Sequence, residues 1–181
     1  PSMKGLVFTE FLELVDEIFS LETCEGLLEM SNVPSGGAYT SVGTYDAQEM
    51  FTLVSGLSTM TGIPVTDLLK TFGRHLFKRF VSLFPVFFEG VGSAMEFLPR
   101  VEDYVHVEVR KLYPDAELPS FSCTVPVPGT MKMTYRSKSN LQDLAEGLIL
   151  GCIEHFGESL SVTRETGRES PPETVFTIRP K

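Results

Sequence analysis

The apolar residues of this 181-residue chain change period after Pro114, and that change decides what it can fold into. Up to Pro114 they recur every three to four residues, the spacing of a buried helical face. Beyond it, runs near 120–127, 130–137, 159–165 and 174–179 alternate, and one further helical run lies among them. Proline and glycine punctuate the helical part. Residues 9–30 carry Phe11, Leu12, Leu14, Val15, Ile18, Phe19, Leu27 and Leu28 at helical spacing, with a break near Leu21. Pro34, Gly36, Gly37 and Gly43 mark a loop over 32–43. Asp46, with Glu49 three residues on, reads as a capping box opening a helix to about Met60, which Gly62-Ile63-Pro64 closes. Thr66 is expected to cap a long helix to about Phe84, ended by Pro85. Its stripe of Leu68, Leu69, Phe72, Leu76, Phe77, Phe80 and Leu83 is wide enough to be buried along most of its length. Pro99 suits the first turn of the next helix. There Val101, Val105, Val109 and Leu112 form the apolar stripe, and Pro114 ends it.

In the alternating part, Pro128-Gly129 joins the first two strand-like runs. Asn140, with Asp143 at the third helical position, is expected to cap a helix to Phe156. A polar segment, Gly167–Pro172, turns between the last two runs. The expected class is α+β: a helical N-terminal lobe, then a C-terminal lobe with a four-stranded antiparallel sheet and helices. The length fits a single domain over 1–181, with the lobes meeting at the Pro64 break as 1–63 and 64–181.

Composition narrows the function classes. A net charge of −9, from 15 cations among 24 acids, leaves no basic face for nucleic acid. Cys24, Cys123 and Cys152 are odd in number, far apart, and form no C-x-x-C, which fits a reducing cytoplasm better than a disulfide framework or a zinc site. The polar, acidic N-terminus does not read as a signal peptide, and Pro1-Ser2 reads as an addition ahead of a start at Met3. No apolar run reaches the roughly eighteen residues of a membrane span. No nucleophile–base pair, glycine-rich phosphate loop or pair of carboxylates stands out, so no catalytic residues are expected.

One histidine does stand out. His75 lies between Arg74 and Leu76, as a surface or satisfied core residue would. His155 lies near the end of the last helix, where an imidazolium suits the helix dipole. His106 sits in mid-helix beside the apolar stripe, with the acid Glu102 a turn behind. About thirty residues later, Tyr135 and Ser137 share one face of a strand. A neutral imidazole is a metal ligand, and hydroxyls donate hydrogen bonds to carboxylates. Fourteen phenylalanines and no tryptophan can supply flat apolar walls. On position alone a structural histidine is the commoner outcome.

The stretch His106-Val-Glu-Val-Arg-Lys-Leu-Tyr-Pro-Asp-Ala-Glu-Leu-Pro119 resembles the proximal-histidine helix and following loop of the haem–nitric oxide/oxygen binding (H-NOX) family. These are gas-sensing domains of bacteria and of soluble guanylate cyclase. Met3-Lys4-Gly5, the Tyr135-Arg-Ser137 strand and the Gly-Leu-Ile-Leu-Gly helix at 147–151 resemble the same family, and the likeness runs in register over 3–180. It implies a haem buried between the lobes, held in the C-terminal one, with His106 as the axial iron ligand. It also implies that Pro119 presses on the porphyrin and that Tyr135 and Ser137 bind the propionates. With no C-x-x-C-H, the haem would be non-covalent haem b. Val7, Phe11, Phe80, Leu144 and Leu148 would form the open face. Oxygen-binding members carry a tyrosine where this chain has Leu144, so the resemblance implies a sensor of NO, with CO as a further ligand, that excludes O2. Gas binding would weaken or break the iron–His106 bond and shift the lobes. The signal would pass to a separate partner such as a histidine kinase or a cyclic-di-GMP enzyme, with no nucleic acid and no membrane. Arg164–Pro172 holds no cysteine, so the zinc-bearing branch of the family is not expected.

The chain departs from the family at one place. The family motif is Tyr-x-Ser-x-Arg, and this chain reads Tyr135-Arg136-Ser137-Lys138-Ser139. A hydroxyl at Ser139 cannot grip a carboxylate as a guanidinium does. Strand alternation would point Arg136 and Lys138 to the opposite face, so weaker haem binding is expected. The alternative is a haem-free interaction module, or one holding another apolar ligand, on the same fold.

Overall fold

Helices occupy most of the chain up to Leu112, and a four-stranded sheet crossed by one helix completes it. The structure is a computed structural model describing residues 1–168, 170 and 172–181. Helix α1 (Gly5–Ile18) begins earlier than its apolar stripe, and α2 (Leu21–Ser31) follows the expected break. Ser20 caps α2, its Oγ accepting the Thr23 N–H at 3.0 Å. Two short strands, β1 (Ser2–Lys4) and β2 (Thr44–Asp46), pair antiparallel and close the 32–43 loop onto the start of α1.

Helix α3 (Gln48–Thr61) ends at Gly62, whose φ of 75° is the left-handed stop that glycine tolerates. The expected capping box does not form. Asp46 Oδ1 accepts the Gln48 N–H at 2.9 Å, but Glu49 turns inward. Its Oε1 accepts from Ser35 Oγ at 2.5 Å and Tyr39 Oη at 3.0 Å, so the loop hydroxyls outcompete the helix end. Thr66 caps nothing either. Helix α4 (Val65–Leu83) starts one residue earlier, and the Pro64 carbonyl accepts the Asp67 and Leu68 N–H groups. A 3₁₀ turn, Pro85–Phe88, follows.

Pro99 stands near the end of α5 (Ala94–Arg100), not in a first turn, and α5 is capped by Ser93, whose Oγ accepts the Glu96 N–H at 3.1 Å. Proline brings no N–H, so the backbone loses one helical hydrogen bond there. The chain then widens into a π-helical turn, Val101–Val105, before α6 (His106–Leu112). The His106 N–H donates to the Val101 carbonyl, five residues back. A π-turn adds one residue to the helix and rotates the next turns by about 100°. The expected stripe therefore breaks. Val101 and Val105 pack against the core, Leu112 is 69 % exposed, and His106 is the one buried residue of α6.

Strands β3 (Ser120–Val127), β4 (Thr130–Arg136), β5 (Leu160–Thr166) and β6 (Glu173–Pro180) form an antiparallel sheet in the order β3-β4-β6-β5, the α+β architecture expected. Helix α7 (Gln142–His155) lies across it. Asn140, the expected cap, lies outside α7 at φ 50°, and Asp143 instead pairs with Arg164 of β5 at 2.7 Å. In the predicted Gly167–Pro172 turn, Glu169 and Pro171 lie outside the described residues, while the Gly167 N–H donates to the Glu173 carbonyl at 2.8 Å.

Two apolar clusters result. One joins α1, α2, α3 and the first half of α4 to Leu141 and Leu144; the other joins the sheet to α5, the far half of α4 and most of α7. Helices α4 and α7 bridge them, crossing at glycines. A Cβ on Gly73 would come within 2.5 Å of the Leu144 carbonyl and 2.6 Å of Gly147 Cα, so only glycine allows that approach. Among the described residues no helix is long and apolar enough to cross a membrane.

Candidate functional site

His106 is only 8 % exposed, delivered inward by the π-turn. Its Nδ1 lies 3.0 Å from Glu102 Oε2, which fixes the ring with Nδ1–H as donor. The same carboxylate oxygen accepts the Phe121 N–H at 3.1 Å, so Glu102 ties α6 to β3. Arg110 Nη2 stands 3.9 Å from the other oxygen. Burial pushes the imidazole pKa below its ordinary value, Glu102 opposes that in part, and Arg110 adds to it. The ring is therefore neutral at neutral pH. Its Nε2 makes no hydrogen bond with a described residue.

The Phe121 ring sits 5.9 Å from His106 and 5.5 Å from Tyr135, linking the two expected site elements. That contact was not legible in the sequence. A plain two-residue hairpin at Pro128-Gly129 would put Phe121 opposite Arg136. A bulge between Thr124 and Val127 slips the register by one, so Phe121 pairs with Tyr135. Pro119 is half-buried immediately before β3, two residues from Phe121.

Tyr135 is buried on β4, and burial raises its phenol pKa, keeping it protonated. The Leu141 N–H donates to Tyr135 Oη at 3.2 Å, and the Ser139 N–H donates to Ser137 Oγ at 3.0 Å. Each oxygen thus receives a backbone donor, and the Ser137 hydroxyl acts on Tyr135 as well, offsetting part of the effect of burial. Such a pair of hydroxyls suits carboxylates. Ser137, Ser139, Arg110, Arg136 and Lys138 line an open cleft of about 380 Å³. A second cleft, of about 540 Å³, lies on the other side of Lys138 and Ser139 and includes Asp46 and Phe51.

Val7, Phe11, Phe80, Leu144 and Leu148 all meet in the first apolar cluster, Phe11 and Leu144 buried, the other three partly so. Leu148 also touches the second cluster, the one that holds Tyr135 and packs Phe121, Tyr104 and Val105 against it. The expected open-face residues and the His106–Tyr135 group therefore come from different sides of the core.

These residues fit a haem. A neutral imidazole with one nitrogen fixed by a carboxylate and the other unbonded is the ligand an iron needs. Among the described residues no three His, Cys, Asp or Glu side chains converge to hold a metal. Tyr135 near the end of β4 and Ser137 just past it set two hydroxyls on the strand next to β3, and Phe121 of β3 packs against His106.

Comparison with known proteins agrees. The Haem-NO-binding family matches residues 4–164. The ferrous, unliganded H-NOX protein of K. algicida is 37 % identical, with a TM-score of 0.91 over 99 % of this chain and 97 % of that one. The H-NOX of Shewanella woodyi, solved in its Fe(II)CO state, is 38 % identical, with a TM-score of 0.85 over 99 % and 95 %. Soluble guanylate cyclase gcy-35 of Caenorhabditis elegans is 23 % identical over 151 residues, which are 81 % of this chain but 22 % of that protein. The chain thus spans about a fifth of that curated relative's length. With the fold, the poised imidazole and the sequence match in agreement, this chain belongs to the Haem-NO-binding, or H-NOX, family.

Proposed function

We propose that this chain is a cytoplasmic haem-based sensor that responds to nitric oxide, excludes O2, and signals to a separate protein. The observation that carries the reading is His106, buried, neutral and bonded to Glu102 through Nδ1 alone. Haem b, when bound, would supply an iron that takes up a diatomic gas. His106 Nε2 would hold that iron from one side, and the fixed Nδ1–H keeps the imidazole in the ligating tautomer. Tyr135 and Ser137 would anchor the propionates through their hydroxyls, with Pro119 against the ring edge.

Val7, Phe11, Phe80, Leu144 and Leu148 bring no hydrogen-bond donor in their side chains. Bound O2 needs a donor to hold its partial negative charge, whereas NO and CO do not, so this wall favours the latter two. Helix α6 carries His106 at its first residue and is tied to β3 through Glu102, so any displacement of the imidazole would reach the sheet. The N-terminal lobe, 1–63, and the haem-holding lobe, 64–181, would shift against each other. The receiver would be a histidine kinase or a cyclic-di-GMP enzyme, and the sensor itself performs no catalysis.

The experiment is haem titration of the purified chain, followed by exposure of the ferrous form to NO, CO and air. The reading expects a Soret band that shifts with NO and CO and forms no stable O2 complex. A stable O2 complex would contradict the selectivity, and a chain that takes up no haem would contradict the whole reading. Ser139 favours one second reading, a haem-free module holding another apolar ligand, which the colourless outcome would promote.

A further inference from the structure

The serine at position 139 removes the cation that the family motif sets beside the propionate donors, yet three cations line the same cleft: Arg110, Arg136 and Lys138. Arg136 is paired with Glu173 of β6, and Arg110 leans toward Glu102, the carboxylate that orients His106. Lys138 has neither commitment: no described residue forms an ion pair with its Nζ, although Asp46 and Glu117 also line the clefts. Strand alternation, which would turn Lys138 away from Tyr135 and Ser137, does not apply to it. Strand β4 ends at Arg136, the chain turns through Lys138 and Ser139, the Ser139 N–H folds back onto Ser137 Oγ at 3.0 Å, and Asn140 takes φ 50°. The turn leaves Lys138 on the common wall of both clefts, between Ser137 and Ser139.

We propose that Lys138 supplies the counter-charge to a haem propionate that the arginine supplies in the family motif, an inference that rests on the haem reading above. Lysine is a point charge on a flexible stem, without the bidentate fork of arginine. The replacement therefore holds the propionate through charge and not through fixed geometry. Because Lys138 is exposed, the interaction is screened, and its effect is a few-fold in rate rather than orders of magnitude.

The test is the rate at which the ferric haem-loaded protein loses haem to excess apomyoglobin, measured at low and high ionic strength. Lys138→Ala should speed haem loss about three- to fivefold at low salt, and Lys138→Arg should hold the original rate. High salt should erase the difference between Lys138→Ala and the parent. In a Ser139→Arg background, which should itself slow haem loss, Lys138→Ala should have no further effect. Equal rates for the parent and Lys138→Ala at low salt would overturn the inference while leaving the haem reading intact, as would a difference indifferent to salt. A parent chain that takes up no haem would overturn both.

Discussion

The Glu10–His75 pair and the Glu102–His106 pair use the same two side chains, one between helices and one within a turn, and they prepare their imidazoles differently. Glu10 is buried on α1, and its Oε2 accepts the Arg79 Nε–H at 2.9 Å, so a guanidinium meets its charge. His75 Nε2 lies 3.9 Å from the same oxygen, too far for a hydrogen bond, and has no hydrogen-bond partner. At Glu102 the imidazole itself is the partner, at 3.0 Å, and the π-turn brings the two together. The difference teaches that burial near an acid does not by itself ready an imidazole for a metal. What matters is that one ring nitrogen is fixed while the other is left unbonded.

The sharpest break of this comparison is Glu102→Leu. It removes the partner of His106 Nδ1 and the acceptor of the Phe121 N–H at once. Haem affinity should fall by about 10- to 100-fold, as for other groups that orient a metal ligand. A titration showing unchanged affinity would mean that packing alone positions His106. Glu10→Leu should do the opposite. Unfolding in denaturant should show a loss of about 1–3 kcal/mol, since the carboxylate is buried but Arg79 can reach water, and the ferrous haem spectrum should not move.

Acid should test His106 as well. Burial lowers the His106 pKa in the folded chain, so below about pH 6.5 the unfolded chain binds the proton more readily and haem-free stability falls with falling pH. In His106→Leu the melting temperature should fall less between pH 7 and about pH 5. Equal slopes would show that His106 is not buried in its neutral form. The smallest effect expected is that of His75→Ala: under about 0.5 kcal/mol in stability and no change in haem uptake, because its Nε2 makes no hydrogen bond to lose.

The helices and strands were legible because their apolar periods are long and their ends are marked by Pro64, Pro85 and Gly62. The site was only half legible. His106, Tyr135 and Ser137 stand out by residue type, and the structure places Phe121 between the first two. Three local events hid the rest. Pro99 sits late in α5 and a π-turn comes after it, so α-helical spacing gave the buried face to Leu112, which is exposed, and not to His106. A bulge after Thr124 moved Phe121 opposite Tyr135. The end of β4 at Arg136 released Lys138 from the alternation that would have turned it away. Each is a one-residue departure from a regular period, and a period cannot announce its own exceptions.

The most direct measurement is rescue of a cavity at the histidine. His106→Gly should lose the ferrous haem spectrum of the parent, and free imidazole added to it should restore that spectrum, while His75→Gly should need no rescue. A His106→Gly variant whose ferrous spectrum matches the parent without imidazole would contradict the account, because the ligand would then be some other residue.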